Sequence, residues 1–336
     1  MDLAPVTLDD KYTQESGRVF LTAMQALVRL PIMQRQRDLA AGRDTACYIS
    51  GYRGSPIGGY DSALWAASKF LEANNIIFQS GVNEELAGTA VWGSQQVNAF
   101  PGAKHDGVFG IWYGKGPGVD RCGDVFKHAN FAGTSPFGGV LALAGDDHGA
   151  KSSTLAHQSD QAFIAAMMPI LNPAGVQDIL DFGIFGWALS RYSGCWVAIK
   201  LVAETAECTG TAYVDPDRVN ITLPNDVEMP EGGLNIRPVD GLAEPEARTV
   251  QYKMPAVEAF VRANRIDRVV VDGPNARLGV AAAGKSYMDV RQALDELGFS
   301  ERDAAALGLR VYKIGMSWPL EPQGAKQFAD GLDEIL

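Results

Sequence analysis

Three strings between Asn83 and Ser153 hold the residue types that could do chemistry: N-E-E-L-A-G-T-A-V-W-G-S-Q-Q (Asn83 to Gln96), W-Y-G-K-G-P-G-V-D-R (Trp112 to Arg121) and L-A-L-A-G-D-D-H-G-A-K-S-S (Leu141 to Ser153). A fourth, S-G-Y-R-G-S-P-I-G-G-Y-D, runs from Ser50 to Asp61. Glu84 stands at the predicted head of a helix whose next residues, Ala87, Gly88, Ala90, Val91 and Gly93, are small and apolar, so little solvent should reach its carboxylate. Shielding from water favours a carboxyl group's protonated form and suits it to exchange a proton with a partner. The same position also suits an ordinary acidic first turn interacting with the helix dipole. Residue chemistry alone leaves both readings open.

Around Ser55-Pro56 lie Gly51, Gly54, Gly58 and Gly59, a turn whose backbone can approach a ligand and whose hydroxyl can donate a hydrogen bond; a plain strand-end turn is the alternative. Lys115 sits among Gly114, Gly116, Pro117 and Gly118, which predicts an irregular loop presenting backbone amides to an anionic substrate or a ring pocket. Asp146, Asp147 and His148 are metal-ligand residue types, read here as structural or substrate-lining, with Lys151, Ser152 and Ser153 in the same loop. His105, His128 and His157 match no triad or metal spacing.

The elements that must position these strings alternate. Strands are predicted at Ala46 to Ser50, Ile76 to Gln79, Gly107 to Tyr113, Gly139 to Leu143 and Trp196 to Leu201. Helices are predicted at Ser62 to Ala73, from Glu84, at Gly123 to Ala132 and at Val176 to Arg191. Such alternation builds a parallel sheet covered on both faces, whose binding crevice lies beyond the carboxyl ends of its strands. All four strings fall at those ends. Ahead of them, Val19, Phe20, Ala23, Ala26, Leu27 and Leu30 predict an amphipathic helix interrupted by Pro31. From about Ala203 to Met254 periodicity is lost among several prolines, which reads as an extended connector. A helix at Pro255 to Ala263 then leads into a smaller alternating unit. It has strands at Arg268 to Asp272, Leu278 to Ala283 and Arg310 to Ile314, with helices at Tyr287 to Leu297 and Gln323 to Leu332. No strand is predicted after its last helix, so the native chain is expected to continue. The expected division is 1–43 helical, 44–205 α/β, 206–265 linker and 266–336 an incomplete second α/β unit.

Composition narrows the class. The 336 residues are 46% hydrophobic and 21% charged, enough for two cored units. A formal net charge of -11 without a basic run argues against nucleic acid as a partner. Cys47, Cys122, Cys195 and Cys208 lack CxxC spacing, which argues against a zinc or iron-sulfur site within these residues. Met1 to Thr13 is polar and acidic and no apolar run reaches membrane-spanning length, so a cytoplasmic protein is expected. Gly279 to Ser286 matches the G-x-x-x-x-G-K-[ST] phosphate-loop expression, but its middle residues are apolar and continue the strand from Leu278.

The four strings together resemble the long fused form of the indolepyruvate ferredoxin oxidoreductase family, from about Arg18 onward, with the GDDHGAKSST and WYGKGPGVDR strings the most specific. That family belongs to the thiamine-diphosphate-dependent 2-oxoacid:ferredoxin oxidoreductases. The resemblance implies a thiamine-diphosphate-binding, pyrimidine-side, doubly wound parallel sheet, then a linker and an incomplete transketolase C-terminal-like α/β domain. It implies that Glu84, with Gly93 nine positions on, faces N1' of the aminopyrimidine, Glu85 fitting that register less well. It further implies that Ser55 and Arg53 contact the 2-oxoacid, that Lys115 positions it, and that Gly54, Pro56, Gly116 and Gly118 line the cofactor. Magnesium would be held by a G-D-G motif and a downstream asparagine of another half, and this chain has neither. Iron-sulfur clusters of the 4Fe-4S type, ferredoxin, coenzyme A and a homodimer are implied for the whole enzyme. The implied reaction is oxidative decarboxylation to an acyl-CoA. Aryl pyruvates are the implied substrates, with Tyr52, Tyr60, Trp92, Trp112 and Tyr113 as pocket candidates. Transketolase or decarboxylase chemistry, a phosphate-loop protein and a non-catalytic α/β binding module are the rival readings.

Overall fold

Thr22 decides where the first long helix begins. Its hydroxyl accepts from the Gln25 amide at 3.1 Å while the Gln25 side chain accepts from the Thr22 amide at 3.1 Å, a reciprocal cap. The helix therefore starts at Ala23 and runs to Ala40. Val19 and Phe20, expected to be helical, lie instead in β1 (Arg18–Thr22), which pairs antiparallel with Thr209–Tyr213. Pro31 does not interrupt the helix either. Proline lacks the amide that would bond the carbonyl four residues back. That carbonyl, of Leu27, accepts the Tyr60 hydroxyl at 3.3 Å.

The computed structural model describes residues 6–150 and 154–336; Lys151, Ser152 and Ser153 lie outside the described residues. The next strands are β2 (Thr45–Gly51), β3 (Ile76–Phe78), β4 (Gly107–Lys115), β5 (Val140–Asp146), β6 (Ile170–Leu171), β7 (Val197–Val202) and β8 (Thr209–Tyr213), the last being the partner of β1. They are followed by β9 (Arg268–Val271), β10 (Leu278–Ala283), β11 (Leu309–Ile314), β12 (Met316–Trp318) and β13 (Glu334–Ile335). The main sheet has the order β12-β6-β7-β5-β4-β2-β3, parallel throughout except that β12 runs antiparallel to β6. Every residue of β5 is buried, as expected of a strand covered on both faces. One face carries the helices Ala23–Ala40 and Val176–Ser193, packed through Leu27, Leu30, Ile179, Phe182 and Trp187. The other carries Glu84–Ser94 and Gly123–Ala132, packed through Ala87, Val91, Phe126 and Ala129 against Trp112. The chain goes from β2 outward to β3, then returns past β2 to β4, so the winding direction reverses between β2 and β4. Ligands of open α/β sheets bind at such a reversal, outside the carboxyl ends.

The second sheet has the order β13-β10-β11-β9, with β9 antiparallel to β11. The short β13 follows the helix Pro322–Ala329, where no strand was expected. Two residues offer too little apolar periodicity to be read from sequence. Gly279 to Ala283, the phosphate-loop look-alike, is regular strand paired in register with Arg310 to Ile314, so no turning loop separates its glycines. From β11 the chain turns a corner into β12 and thereby rejoins the main sheet. Asp267 fixes that corner by accepting from the Gly315 and Met316 amides at 2.7 and 2.8 Å, while burial pushes its carboxyl up to about 6. Lys313 and Asp178 add a largely buried ion pair at 2.6 Å between the two sheets' elements.

The expected connector is not wholly irregular. It contributes β8 and the helix Glu244–Arg248, continued by a π-helical turn over Thr249–Lys253. That turn drives Lys253 into the core, where its ammonium donates to the carbonyls of Asn130, Phe131 and Gly194 at 2.9, 3.2 and 3.3 Å. Two helix C-termini are thus closed by one cation. Among the described residues no helix is long and apolar enough to cross a membrane.

Burial depresses the Lys253 ammonium to about 8. The unfolded chain keeps its proton to higher pH, so between pH 8 and 9 the unfolded state binds more protons and this group's contribution to stability rises with pH. Denaturant unfolding should show the protein gaining about 1 kcal/mol relative to Lys253→Met over that unit. A stability gap independent of pH would refute the depressed ionisation.

Candidate functional site

Asn83 fixes the start of the helix that carries Glu84. Its side-chain oxygen accepts from the Leu86 amide at 2.8 Å, which places Glu84 in the first turn. The Glu84 carbonyl is held by the Trp112 indole N–H at 3.0 Å, tying the helix start to β4. Glu84 is 8% exposed, whereas its neighbour Glu85 is exposed to solvent. The expected shielding is present. Beside the β2 end, the Gly81 amide donates to the Gly51 carbonyl at 2.8 Å, which closes the approach to the helix against the sheet.

The Lys115 region differs from the expected loop. Strand β4 continues through Lys115, and Gly116–Arg121 forms a short helix with Pro117 in its first turn. Proline suits that position because its missing amide would have had no partner there, and its fixed φ is already helical. The glycines are required by packing. A Cβ on Gly118 would lie 2.6 Å from Glu84 Cγ and 2.9 Å from Oε1, and one on Gly116 would lie 2.3 Å from His157 Nδ1. One six-residue helix therefore holds Glu84 on one glycine and His157 on another. From the same helix Asp120 meets His157 Nε2 at 3.1 Å, and Arg121 Nε stands 3.8 Å from Glu84 Oε2. Arg121 is largely exposed, and Glu84's carboxylate accepts no hydrogen bond from a described residue, so its oxygens are available. The adjacent Cys122 thiol is pushed up to about 12 by burial, with Glu84 and Glu85 adding to the rise, and stays protonated.

The turn after β2 closes over neighbouring strand ends. Gly54 receives the Lys115 side chain, since a Cβ there would come within 2.6 Å of Lys115 Cδ. Pro56, joined to Ser55 by a cis peptide bond, packs over Gly145 at the end of β5. Ser55 is half-buried and Arg53 is exposed at the rim. Fold and packing thus bring Gly54 to Lys115, and Gly118 to Glu84. Gly93 has nothing within 4 Å of a Cβ, so the spacing from Glu84 meets no steric need in this chain.

Asp146 is fully buried and accepts from the Ser159 amide and hydroxyl at 2.9 and 2.6 Å, which anchors the return of the loop. Asp147 is buried and its carbonyl accepts from the His157 amide at 3.4 Å, while His148 is exposed. Among the described residues no group of three or more acidic, histidine or cysteine side chains is arranged to hold a metal ion. Of the aromatic candidates, Tyr60, Trp112 and Tyr113 are fully buried core and cannot line a pocket; Tyr52 is exposed, and Trp92 stacks on His128. Sequence reasoning missed His157 and Asp120 as a pair, and Trp112 as the anchor of Glu84. No local spacing signals them, because each contact is made across the sheet's end.

Against known proteins, residues 268–336 match the family model described as an indolepyruvate oxidoreductase domain. Subunit IorA of the indolepyruvate oxidoreductase of Methanothermobacter thermautotrophicus is 24% identical over 96% of this chain and 47% of its own length. IorA of Pyrococcus abyssi is 25% identical over 65% of the chain and 33% of its own length. The chain is similar to the IorA subunits of indolepyruvate oxidoreductases over most of its length. It spans about half the length of the curated relatives it matches. Among solved structures, 2-oxoglutarate:ferredoxin oxidoreductase from Magnetococcus marinus aligns with a TM-score of 0.68 at 13% identity, covering 95% of this chain and 57% of that one. Transketolase from Campylobacter jejuni aligns at 0.51 and 10% identity over 94% of this chain and 39% of that one. These likenesses show the expected α/β fold class.

The packing gives a direct check. Gly118→Ala and Gly116→Ala should each cost about 1–3 kcal/mol through overpacking. Gly93→Ala, with open space around it, should instead stabilise its helix by about 0.5–1 kcal/mol. Chemical denaturation of the three variants reads this out, and equal effects at all three positions would contradict the contacts described.

Proposed function

We propose that residues 44–205 form the pyrimidine-side unit of a thiamine-diphosphate-dependent 2-oxoacid:ferredoxin oxidoreductase, with Glu84 as the residue that exchanges a proton with N1' of the aminopyrimidine. The observation that carries this reading is a shielded carboxylate with unspent oxygens, pressed against Gly118 beside the β2/β4 winding reversal. The residues present fit the group. Glu84 lies against the helix Gly116–Arg121, and the turn at Gly54 and Pro56 closes over Lys115 and Gly145, so the acid stands among close-packed segments at one set of strand ends, where a ring could meet it. Thiamine diphosphate, when bound, supplies carbanion chemistry at a 2-oxoacid carbonyl.

This chain's residues have defined tasks in that reading. Glu84 holds or releases a proton at the ring nitrogen, and its low exposure keeps bulk water from competing for that proton. Trp112 keeps the helix start in place so that the carboxylate is not free to swing outward. Ser55 and the exposed Arg53 orient the 2-oxoacid's carboxylate, and Lys115, packed over Gly54, adds positive charge beside it. Binding of the diphosphate with Mg2+, the 4Fe-4S clusters and the docking of ferredoxin and coenzyme A fall to parts of the enzyme beyond these residues. The relatives' names support indolepyruvate or another aryl pyruvate as substrate and an oxidoreductase with ferredoxin as acceptor. A homodimer is proposed on the same likeness. Transketolase-type transfer shares the carboxylate but is less well supported, since its fold match is the weaker.

In the complete enzyme, Glu84→Gln should lower 2-oxoacid-dependent reduction of ferredoxin or a viologen by about a hundredfold or more. Glu85→Gln, altering an exposed neighbour, should leave the rate within about twofold. Unchanged turnover in Glu84→Gln would overturn the assignment.

A further inference from the structure

A cavity of about 710 Å3 opens at the amino ends of the strands, across the sheet from Glu84. It lies where the helix Ala23–Ala40 ends before β2, where Pro136 and Phe137 precede β5, and where the helix Val176–Ser193 ends before β7. Part of its wall comes from the connector, through Asp217, Ile221 and Leu223. The volume is in the range of small-molecule sites, roughly 300–1,000 Å3, which are apolar with a few placed polar groups.

The charged groups of this cavity divide into a closed set and an open set. Arg191 is spent: its two terminal nitrogens meet Asp38 at 2.7 and 2.8 Å and its Nε donates to the Gly138 carbonyl at 2.8 Å. Asp38 is spent as well, accepting also from Gln34 at 3.0 Å and Thr45 at 2.8 Å. These residues make a fixed, neutral floor. Arg37 and Arg43 make the open set. Arg37 gives one terminal nitrogen to the Pro216 carbonyl and makes no ion pair with a described residue. Arg43 makes none either, and its guanidinium lies 4.6 Å from the Phe137 ring centroid. Asp217 and its neighbour Asp215 both face Arg37 and balance it, which leaves Arg43 as the cation of this cavity without a carboxylate partner among the described residues. Opposite it, Ile184, Ala188, Ile221 and Leu223 give an apolar wall.

We propose that this cavity binds an amphipathic monocarboxylate, its carboxylate on Arg43 and its apolar body against Ile184, Ala188 and Leu223. A guanidinium fork matches a carboxylate, and the ring of Phe137 holds Arg43 in place for it. A polyanion such as a nucleotide is disfavoured, because Asp215 and Asp217 stand beside Arg37 and repel further negative charge. Since Pro216, Asp217 and Leu223 belong to the connector, the ligand bridges the connector to the helix ends that feed β2 and β7. The site is independent of the chemistry proposed at Glu84.

The experiment is calorimetric titration of the complete enzyme with naphthylacetate, with the neutral naphthylacetamide and inorganic phosphate in parallel. Naphthylacetate should bind saturably, the amide and phosphate about tenfold or more weakly, and Arg43→Glu should weaken the acid by a similar factor. Should Arg43→Glu fail to fold, Ala188→Phe, which fills the apolar wall, should abolish binding of the acid. Equal binding of the amide or of phosphate, indifference to either variant, or absence of saturation would overturn the proposal. So would loss of binding in Glu84→Gln, because it would place the acid at the opposite end of the sheet.

Discussion

The contact between Gly118 and Glu84 is the constraint on which the candidate site depends. A carboxylate at a helix start ordinarily turns toward water. Here the helix is pinned at three points, by the Asn83 cap, by the Trp112 indole on the Glu84 carbonyl and by Gly118 beneath the side chain. None of the three pays for the buried charge with a hydrogen bond to it. The carboxylate is thus placed by packing and left chemically unspent, a combination that costs stability and is kept at sites that act on a ligand.

Several other buried charges are satisfied. Asp146, fully buried, accepts two bonds from Ser159, and Asp38 accepts from three side chains. Lys253 closes two helix ends by giving its protons to three carbonyls. Buried charges that serve the fold are paired or hydrogen-bonded, as low dielectric demands. Asp61, 4% exposed and with a buried Oδ1 that no donor meets, shares the unpaired state of Glu84.

Much of this was legible in the sequence, and the exceptions have physical causes. Five strands of the main sheet are readable because parallel strands buried on both faces are continuous apolar runs, whereas β6 and β12, of two and three residues, are too short to give a pattern. Val19 and Phe20 extend the apolar spacing of the first helix and so suggest it begins earlier; the T-x-x-Q cap at Thr22 and Gln25 is the signal that separates strand from helix. Around Lys115 the glycines suggest a turn, although Pro117 marks a helix start. Those glycines answer to Glu84 and His157, residues far off in sequence, and no local pattern reports such a need. The burial of Glu84 is expected from its place at an apolar helix start, but the contact against it, Gly118, lies in another element and cannot be read locally.

The sheet has two ends, and the structure uses them differently. At the carboxyl ends the strand termini are covered by glycine turns that bring backbone and one unspent acid together. At the amino ends helix termini and the connector leave a roomy cavity whose open charge is positive. Strand β2 runs from one to the other, beginning beside Arg43 and ending at the turn that carries Arg53 and Ser55. A fully hydrogen-bonded parallel strand with β4 in register on one side and β3 on the other cannot shift by part of a residue without breaking its ladder. The strand is therefore a stiff link between the two ends, and the connector, which shares the wall of the cavity, is itself tied down by β8 and by Lys253.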